Sequence, residues 1–466
     1  MLKETIIEFM KSVDLQPLQY LAAVRVAISV CESEDVQYMI GRFHKTNGNN
    51  GNVGFLDGQW RRVRGKVKRK LNQIGLPDLI IDIVLENLWP ISFEISKWII
   101  YHVEDTGIDC SSNFCWTPQA KIDYVKTAEI LIKNEALDIK KRFKLACFYC
   151  LDSEVRSLWE QMGLSEKRSF FVRGNLKKSN QSPIVLYWTY FIQEVPIDYW
   201  GSKAMNHTQL FKYAVENGYL SATKFFLGKL KVSLRNRMIS NCFCIHLHKL
   251  YNPKYIAKDH LTIACFLICQ LPSNYQGMTH FNRLSLIFRY FLEWPMQKQF
   301  MTVVNRLRHY LRERTFGELL EGIFEKDIGG FKDHDYKELF MEFWHQIPEK
   351  YKIYVRTESR VGYKIFMKFV KEHFGFVFEE NSFAIKAKFR AIVFQQEISE
   401  NETYFEKENV DFFKFLVRER VTTKSSIDRF SYRPFMNFPF QEYGTQFFNL
   451  PLGELMYLID GILEIV

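Results

Sequence analysis

The sequence predicts an all-α fold: a solenoid-like stack of degenerate helical hairpins closed by an aromatic-rich C-terminal cap. Three observations predict it. Apolar residues recur at spacings of three and four through most windows, and alternation of period two is scarce. One register of apolar pair, turn and apolar pair returns along the chain at fixed offsets. The C-terminal stretch is crowded with aromatic residues and interrupted by prolines, which break helices. The chain then divides into an N-terminal helical segment (1–45), a Gly/Asn-rich loop with a basic cluster (46–70), a helical-hairpin array (71–373) and an aromatic-rich capping region (374–466).

The first segment places Leu18, Leu21, Val24, Ile28 and Cys31 on one helical stripe. Its start carries Glu4 and Glu8 among apolar residues, unlike the basic opening and apolar centre of an export signal. The expected compartment is therefore reducing: the cytoplasm, with the nucleus as the alternative. The nine cysteines agree, being odd in number and set mostly in apolar runs, where a thiol packs as a small hydrophobe. Next comes a run of Gly and Asn from 46 to 58, residues that tolerate positive φ and break helices. Directly after it stand Arg61, Arg62, Arg64, Lys66, Lys68, Arg69 and Lys70. These seven supply most of the net charge of +10, so the chain is nearly balanced apart from one cationic cluster.

The clearest hairpin unit covers 208–230. Thr208 is the expected helix cap, Asn217-Gly218 the turn, and Ala214 the small residue that lets two helices approach. Phe143, Ala146, Leu158, Trp159 and Met162 fall on Phe211, Ala214, Phe226, Leu227 and Leu230 at a constant offset of 68. Phe288, Phe291, Val303, Val304 and Leu307 match the same five at an offset of 77, with Trp294-Pro295 in the turn. Leu339, Phe340, Phe343 and Pro348 begin a looser copy, and Phe412, Phe413 and Phe415 another. Strand-like alternation is confined to 374–378 and 383–395. The aromatic stretch 430–448 is expected to cover the last apolar face of the array, as repeat stacks require. Leu455, Leu458, Ile459, Ile462 and Leu463 share one face of a final helix.

On these residues the chain resembles a divergent ankyrin-repeat protein. The stretch 211–227 looks like the inner helix, Asn-Gly turn and outer helix of one ankyrin unit. The stretch 143–162 is similar, with Leu151-Asp-Ser in place of the glycine turn. The family's Thr-Pro-Leu-His opening is absent, and Phe and Tyr stand where Leu dominates good repeats. The resemblance covers about residues 120–360, and other helix-hairpin arrays, or an irregular helical bundle, share much of the pattern. It implies a non-enzymatic interaction or adaptor protein that recognises an unknown protein partner, with no catalytic, cofactor or metal residues.

Two other function classes follow from the residues. An enzyme would need dispersed groups or a metal, and Cys242-Phe-Cys244-Ile-His246-Leu-His248, with Cys265 and Cys269, spells four to six zinc ligands. On a helix, however, residues two apart point to nearly opposite sides. Cys147-x-x-Cys150 mimics a redox pair but lacks the strand–helix context. Asp333-His334-Asp335 is expected to cap a helix. No phosphate-loop, nucleophile-elbow or HExxH spelling occurs. A nucleic-acid-associated protein would act through 61–70, since Lys and Arg neutralise phosphates. No stretch of about 20 nearly uninterrupted apolar residues is present, so no membrane span is expected. The high apolar content with little net charge excludes wholesale disorder.

Overall fold

A computed structural model describes residues 18–39, 57–108, 113–171, 181–195, 206–250, 260–271, 288–308, 311–328, 331 and 333–357, with positions 412, 415, 416, 419 and 421. Among them every regular element is a helix, and extended pairing is limited to one bridge between Trp116 and Ile122. The mostly helical class read from the periodicity is what the chain adopts. The stretch 46–56, the strand-like 374–378 and 383–395, the aromatic stretch 430–448 and the final 450–466 lie outside the described residues. The chain forms two compact units, Met1–Val303 with Gly330–His334, and Val304–Gly329 with Asp335–Val466.

The first unit begins with α1 (Leu18–Cys31), α2 (Asp57–Gln73) and the long α3 (Asp78–Thr106). The stripe on α1 buries Ala23, Val24, Ala27, Ile28 and Cys31, and α1 packs on α3. Burial starts a turn later than the stripe does, since Leu18 remains 84% exposed. Small Ala23 and Ala27 allow a close approach. The Tyr20 hydroxyl reaches Asn87 Oδ1 at 3.1 Å, and the Cys31 thiol lies 3.8 Å from the Leu88 carbonyl.

Helix α3 is 29 residues long, about 43 Å at 1.5 Å per residue, and contains Pro90. Polar side chains around the proline turn back onto their own helix. Asn87 Nδ2 donates to the Ile83 carbonyl at 2.8 Å, Ser92 Oγ to Leu88 at 2.6 Å and Ser96 Oγ to Ser92 at 2.9 Å. This back-bonding lets polar residues enter an apolar core without orphaned groups. Trp89 and Trp98 are fully buried on the same helix. The helix stops at Gly107, whose φ of 72° closes an N–H bond to the Val103 carbonyl.

Next come α4 (Tyr124–Lys133), α5 (Ile139–Tyr149), α6 (Asp152–Gln161), the short α7 (Leu164–Arg168) and α8 (Pro183–Ile192). Then follow α9 (His207–Glu216), α10 (Leu220–Lys229), α11 (Val232–Leu250), α12 (His260–Gln270), and a 3-10 turn (Gln297–Gln299) leading into α13 (Phe300–Leu307). Helix α5 is the hub of the first unit. It packs against α3, α4, α6, α8 and α10, and buries an unbroken run from Leu145 to Tyr149.

The hub meets α3 through a buried polar cluster. His102 Nδ1 lies 2.7 Å from the Trp98 carbonyl, and Nε2 lies 2.8 Å from the Tyr149 hydroxyl. A carbonyl only accepts, so Nδ1 carries the proton and Nε2 accepts from Tyr149. Burial holds the imidazole neutral and lowers its pKa to about 3. One residue earlier, the Tyr101 hydroxyl donates to the Gly218 carbonyl at 3.1 Å. The Tyr219 hydroxyl donates to Asp105 Oδ2 at 2.6 Å. The last turns of α3 thus hold both the end of α5 and the turn between α9 and α10.

The second unit contains α14 (Glu313–Ile328), α15 (Tyr336–His345) and α16 (Glu349–Thr357). Phe316 on α14 stacks on Phe343 at 4.5 Å and on Tyr351 at 5.8 Å. Phe412 seals the other end of this seam against Phe340 at 5.5 Å. Glu419 accepts from Trp344 Nε1 at 2.9 Å, and its carbonyl from Arg356 Nε at 3.1 Å.

The polar cluster makes two outcomes measurable. Tyr149→Phe strands His102 Nε2 in the core and lowers stability by about 1–3 kcal/mol; an unchanged urea midpoint would contradict this. The second outcome concerns pH. With a folded pKa of about 3 against an unfolded value near 6.5, the unfolded chain binds the extra proton between those limits. Stability therefore falls as pH drops from about 6.5 toward 3, by about 1.4 kcal/mol per unit for this one proton. His102→Asn should make the stability-versus-pH slope between about pH 4.5 and 6 shallower by that amount. Parallel slopes for the two proteins would count against it.

Candidate functional site

Two hairpins of the first unit are built to one plan. Helices α5 and α9 start at Ile139 and His207, and α6 and α10 run over Asp152–Gln161 and Leu220–Lys229, all at the offset of 68. The residue before each first helix is a polar cap. Asp138 accepts from the N–H groups of Lys140 and Lys141, and Asn206 from that of Gln209. In each turn one residue takes the left-handed conformation, Cys150 at φ 54° and Gly218 at φ 79°. The next residue is nearly superimposable: Leu151 at φ −86°, ψ 85° and Tyr219 at φ −86°, ψ 88°. The closing bonds correspond as well. Leu151 N–H donates to Ala146 at 3.1 Å, and Tyr219 N–H to Ala214 at 2.9 Å.

Burial follows the same register. Arg142, Phe143, Ala146, Cys147, Val155, Leu158, Trp159 and Met162 are buried, as are Leu210, Phe211, Ala214, Val215, Thr223, Phe226, Leu227 and Leu230. The solvent faces match too: Arg156, Glu160 and Gln161 are exposed on α6, and Lys224, Gly228 and Lys229 on α10. The five positions at the offset of 77 are all buried. In the second unit, Leu339, Phe340, Phe343 and Trp344 take the places of Leu210, Phe211, Ala214 and Val215, with Asp335 as cap.

The cap of α9 differs from the expectation. Thr208 lies inside the helix, and Asn206 is the cap. Asn206 Oδ1 accepts from Gln209 N–H at 3.0 Å, while Asn206 N–H donates back to Gln209 Oε1 at 2.9 Å. This reciprocal pair satisfies two groups at once, where Thr208 offers one hydroxyl.

The basic cluster, grouped above with a loop, is helical from Asp57 onward. Trp60, Val63, Val67 and Leu71 are buried, and α2 packs on α3. That buried stripe fixes the rotation of the helix. It turns Arg61, Arg62, Arg64, Lys68 and Arg69 to solvent and leaves Lys66 and Lys70 half-buried. The latter two meet Asp35, at 3.1 Å and 2.5 Å. Hydrogen bonds from Lys70 and Lys66 hold the Asp35 carboxyl well below the usual carboxylate range. Asp35 is the residue the sequence reading missed. It lies far from the cluster in sequence, and no local signal marks it.

The zinc-like spelling falls on α11, which carries Cys242, Cys244, His246 and His248 on one helix. At about 100° per residue, positions two apart on such a helix are turned by about 200° from each other. Cys242 is buried, and the side chains of 243–250 lie outside the described residues. Burial pushes the Cys242 thiol up to about 12. Cys265 is buried and Cys269 half-buried on α12, which packs on α11. Among the described residues no group of three or more His, Cys, Asp and Glu is placed to hold a metal. Cys147 is fully buried and Cys150 sits in the hairpin turn, its thiol raised to about 12 by burial. Asp335 caps α15 through the Glu338 N–H at 2.9 Å, and Asp333 accepts from Gln297 Nε2 at 2.7 Å.

No protein-family model matches this chain, and no curated protein matches it. Among the described residues, no helix is long and apolar enough to cross a membrane.

The capping geometry predicts opposite outcomes for neighbouring substitutions. Asn206→Ala should lower stability by about 1 kcal/mol through loss of the reciprocal pair. Thr208→Ala should change it by less than about 0.5 kcal/mol, as for other substitutions that break no cap. Thermal melts of the two variants settle the order; a reversed order would restore Thr208 as the cap.

Proposed function

We propose that the protein is a non-enzymatic interaction or adaptor protein that holds a protein partner on a stack of ankyrin-like helical hairpins. The observation that carries this reading is the shared plan of the α5–α6 and α9–α10 hairpins, solvent faces included. A repeated unit places equivalent side chains side by side, and stacked repeats use such extended surfaces for recognition. Arg156 and Lys224 hold one such pair of places, and Gln161 and Lys229 another. The aromatic-rich C-terminal region serves in this reading as the end cap of the stack. The seven described cysteines are all free thiols, which fits a reducing compartment, the cytoplasm or the nucleus.

Two measurements test the reading. A compact globule of this length has a radius of gyration of about 23 Å. Small-angle scattering should give a clearly larger, elongated particle, and a value at the compact limit would sink the stacked arrangement. For recognition itself, a photo-crosslinking residue at position 161 should capture one protein from native extract, competed by excess unlabelled chain. Arg156→Glu with Lys224→Glu should abolish that capture without moving the thermal midpoint. Capture that survives both charge reversals would place the partner elsewhere.

A further inference from the structure

We propose that the outward face of α2 binds the phosphate backbone of double-stranded nucleic acid, reading charge and spacing rather than bases. This stands on residues that the hairpin reading does not use.

The first argument is the direction of the charges. Val63, Val67 and Leu71 are buried at helical spacing, so Arg61, Arg62, Arg64, Lys68 and Arg69 are held toward solvent on a fixed helix, over an arc of about 160°. Like charges three and four apart destabilise a helix, and Arg61, Arg64 and Lys68 stand at those spacings. Among the described residues, Arg62, Arg64 and Lys68 make no ion pair that would offset this. Among the described residues, Asp35 pairs with the two half-buried lysines at the side of the helix and accepts from Ser33 Oγ at 3.0 Å. A row of cations kept outward against its own repulsion is stabilised when an external polyanion lies along it.

The second argument is the kind of polyanion. Four of the five outward cations are arginines, whose planar forks fit phosphate oxygens in pairs. From Arg61 to Arg69 the helix advances about 12 Å. Duplex nucleic acid carries one charge per about 1.7 Å of axis, so about seven phosphates fall within that length. A membrane surface is the weaker match. A helix that lies on lipid turns its apolar side into the bilayer, and the apolar side of α2 is buried inside the protein. The exposed Ile74 and Leu79 lie past the end of the cationic row.

The test uses the full chain and labelled mixed-sequence duplexes of about 20 base pairs, read by fluorescence anisotropy between about 50 and 250 mM KCl. Five phosphate contacts give a slope of log K against log salt of about −4.5. Replacing Arg61, Arg62, Arg64, Lys68 and Arg69 together by Gln should cut affinity at low salt at least about 100-fold and flatten the slope. Circular dichroism should show the variant's helix content unchanged. Lys66→Gln with Lys70→Gln should stay within about twofold of wild type, because Asp35 already holds those two lysines. Asp35→Asn releases them and should tighten binding. No saturable binding at low salt, or an unchanged slope in the five-fold variant, overturns the proposal. Preference for phosphatidylserine vesicles over duplex at equal anionic charge also overturns it, and would assign the face to lipid. None of these outcomes bears on the hairpin surface, which the crosslinking tests separately.

Discussion

A helix with packed neighbours around most of its circumference has nowhere to send a polar side chain. Helix α5 is in that position, and the first unit is arranged to meet its demands. Arg142 extends to the Ile132 carbonyl at 3.2 Å, at the end of α4. Tyr149 donates a hydrogen bond from its hydroxyl to His102 Nε2 on α3. Phe143 is boxed by Trp159 at 5.4 Å and Phe170 at 4.8 Å, and Phe148 meets Tyr219 at 4.8 Å. A buried group that loses its partner is costlier than the bond is worth. Each neighbour of α5 is therefore held in one position by what it must supply, and the second hairpin inherits its place from contacts with the same helix.

What could be read in the sequence follows from distance along the chain. The α1 stripe and the 68-residue register are local patterns, set by residues within a turn or two of each other, and they reappear as burial. The αL residue at Gly218 was legible because only glycine takes that conformation freely. Cys150 takes it too, and nothing in its identity announced this. Thr208 was read as the cap, but the structure uses Asn206 two residues earlier, because Gln209 answers back to it. Interactions between distant residues left no trace. His102 and Tyr149 are 47 positions apart, and Tyr101 and Gly218 are 117 apart. Either tyrosine reads as one more aromatic in an aromatic-rich chain. The cysteine–histidine run was legible as a spelling, but its geometry depended on α11 being a helix.

The two surfaces differ in how their residues are held. Side chains on the hairpin faces owe their positions to the repeated turn and to the small residues Ala146 and Ala214 beneath it. The cations of α2 owe theirs to four buried apolar side chains, Trp60, Val63, Val67 and Leu71, and Lys66 and Lys70 also to one carboxylate. The half-exposed Asp35–lysine cluster adds little to stability, as ion pairs near the surface do. Its effect is on charge: it withdraws Lys66 and Lys70 and leaves a narrower cationic row.

Pro90 gives α3 a property that its length conceals. Proline has no N–H, so the Glu86 carbonyl has no helical donor four residues on. The hydrogen-bond ladder is therefore interrupted one third of the way along. Before the break, the Asn87 side chain makes its own bond into the ladder and takes the Tyr20 hydroxyl from α1. After it, Tyr101 and His102 serve the hairpins. In the language of amide exchange, Pro90 removes one slowly exchanging site from α3, and α1 bridges the gap: Tyr20 meets Asn87 on one side of the proline, and the Cys31 thiol lies 3.6 Å from Ser92 Oγ on the other.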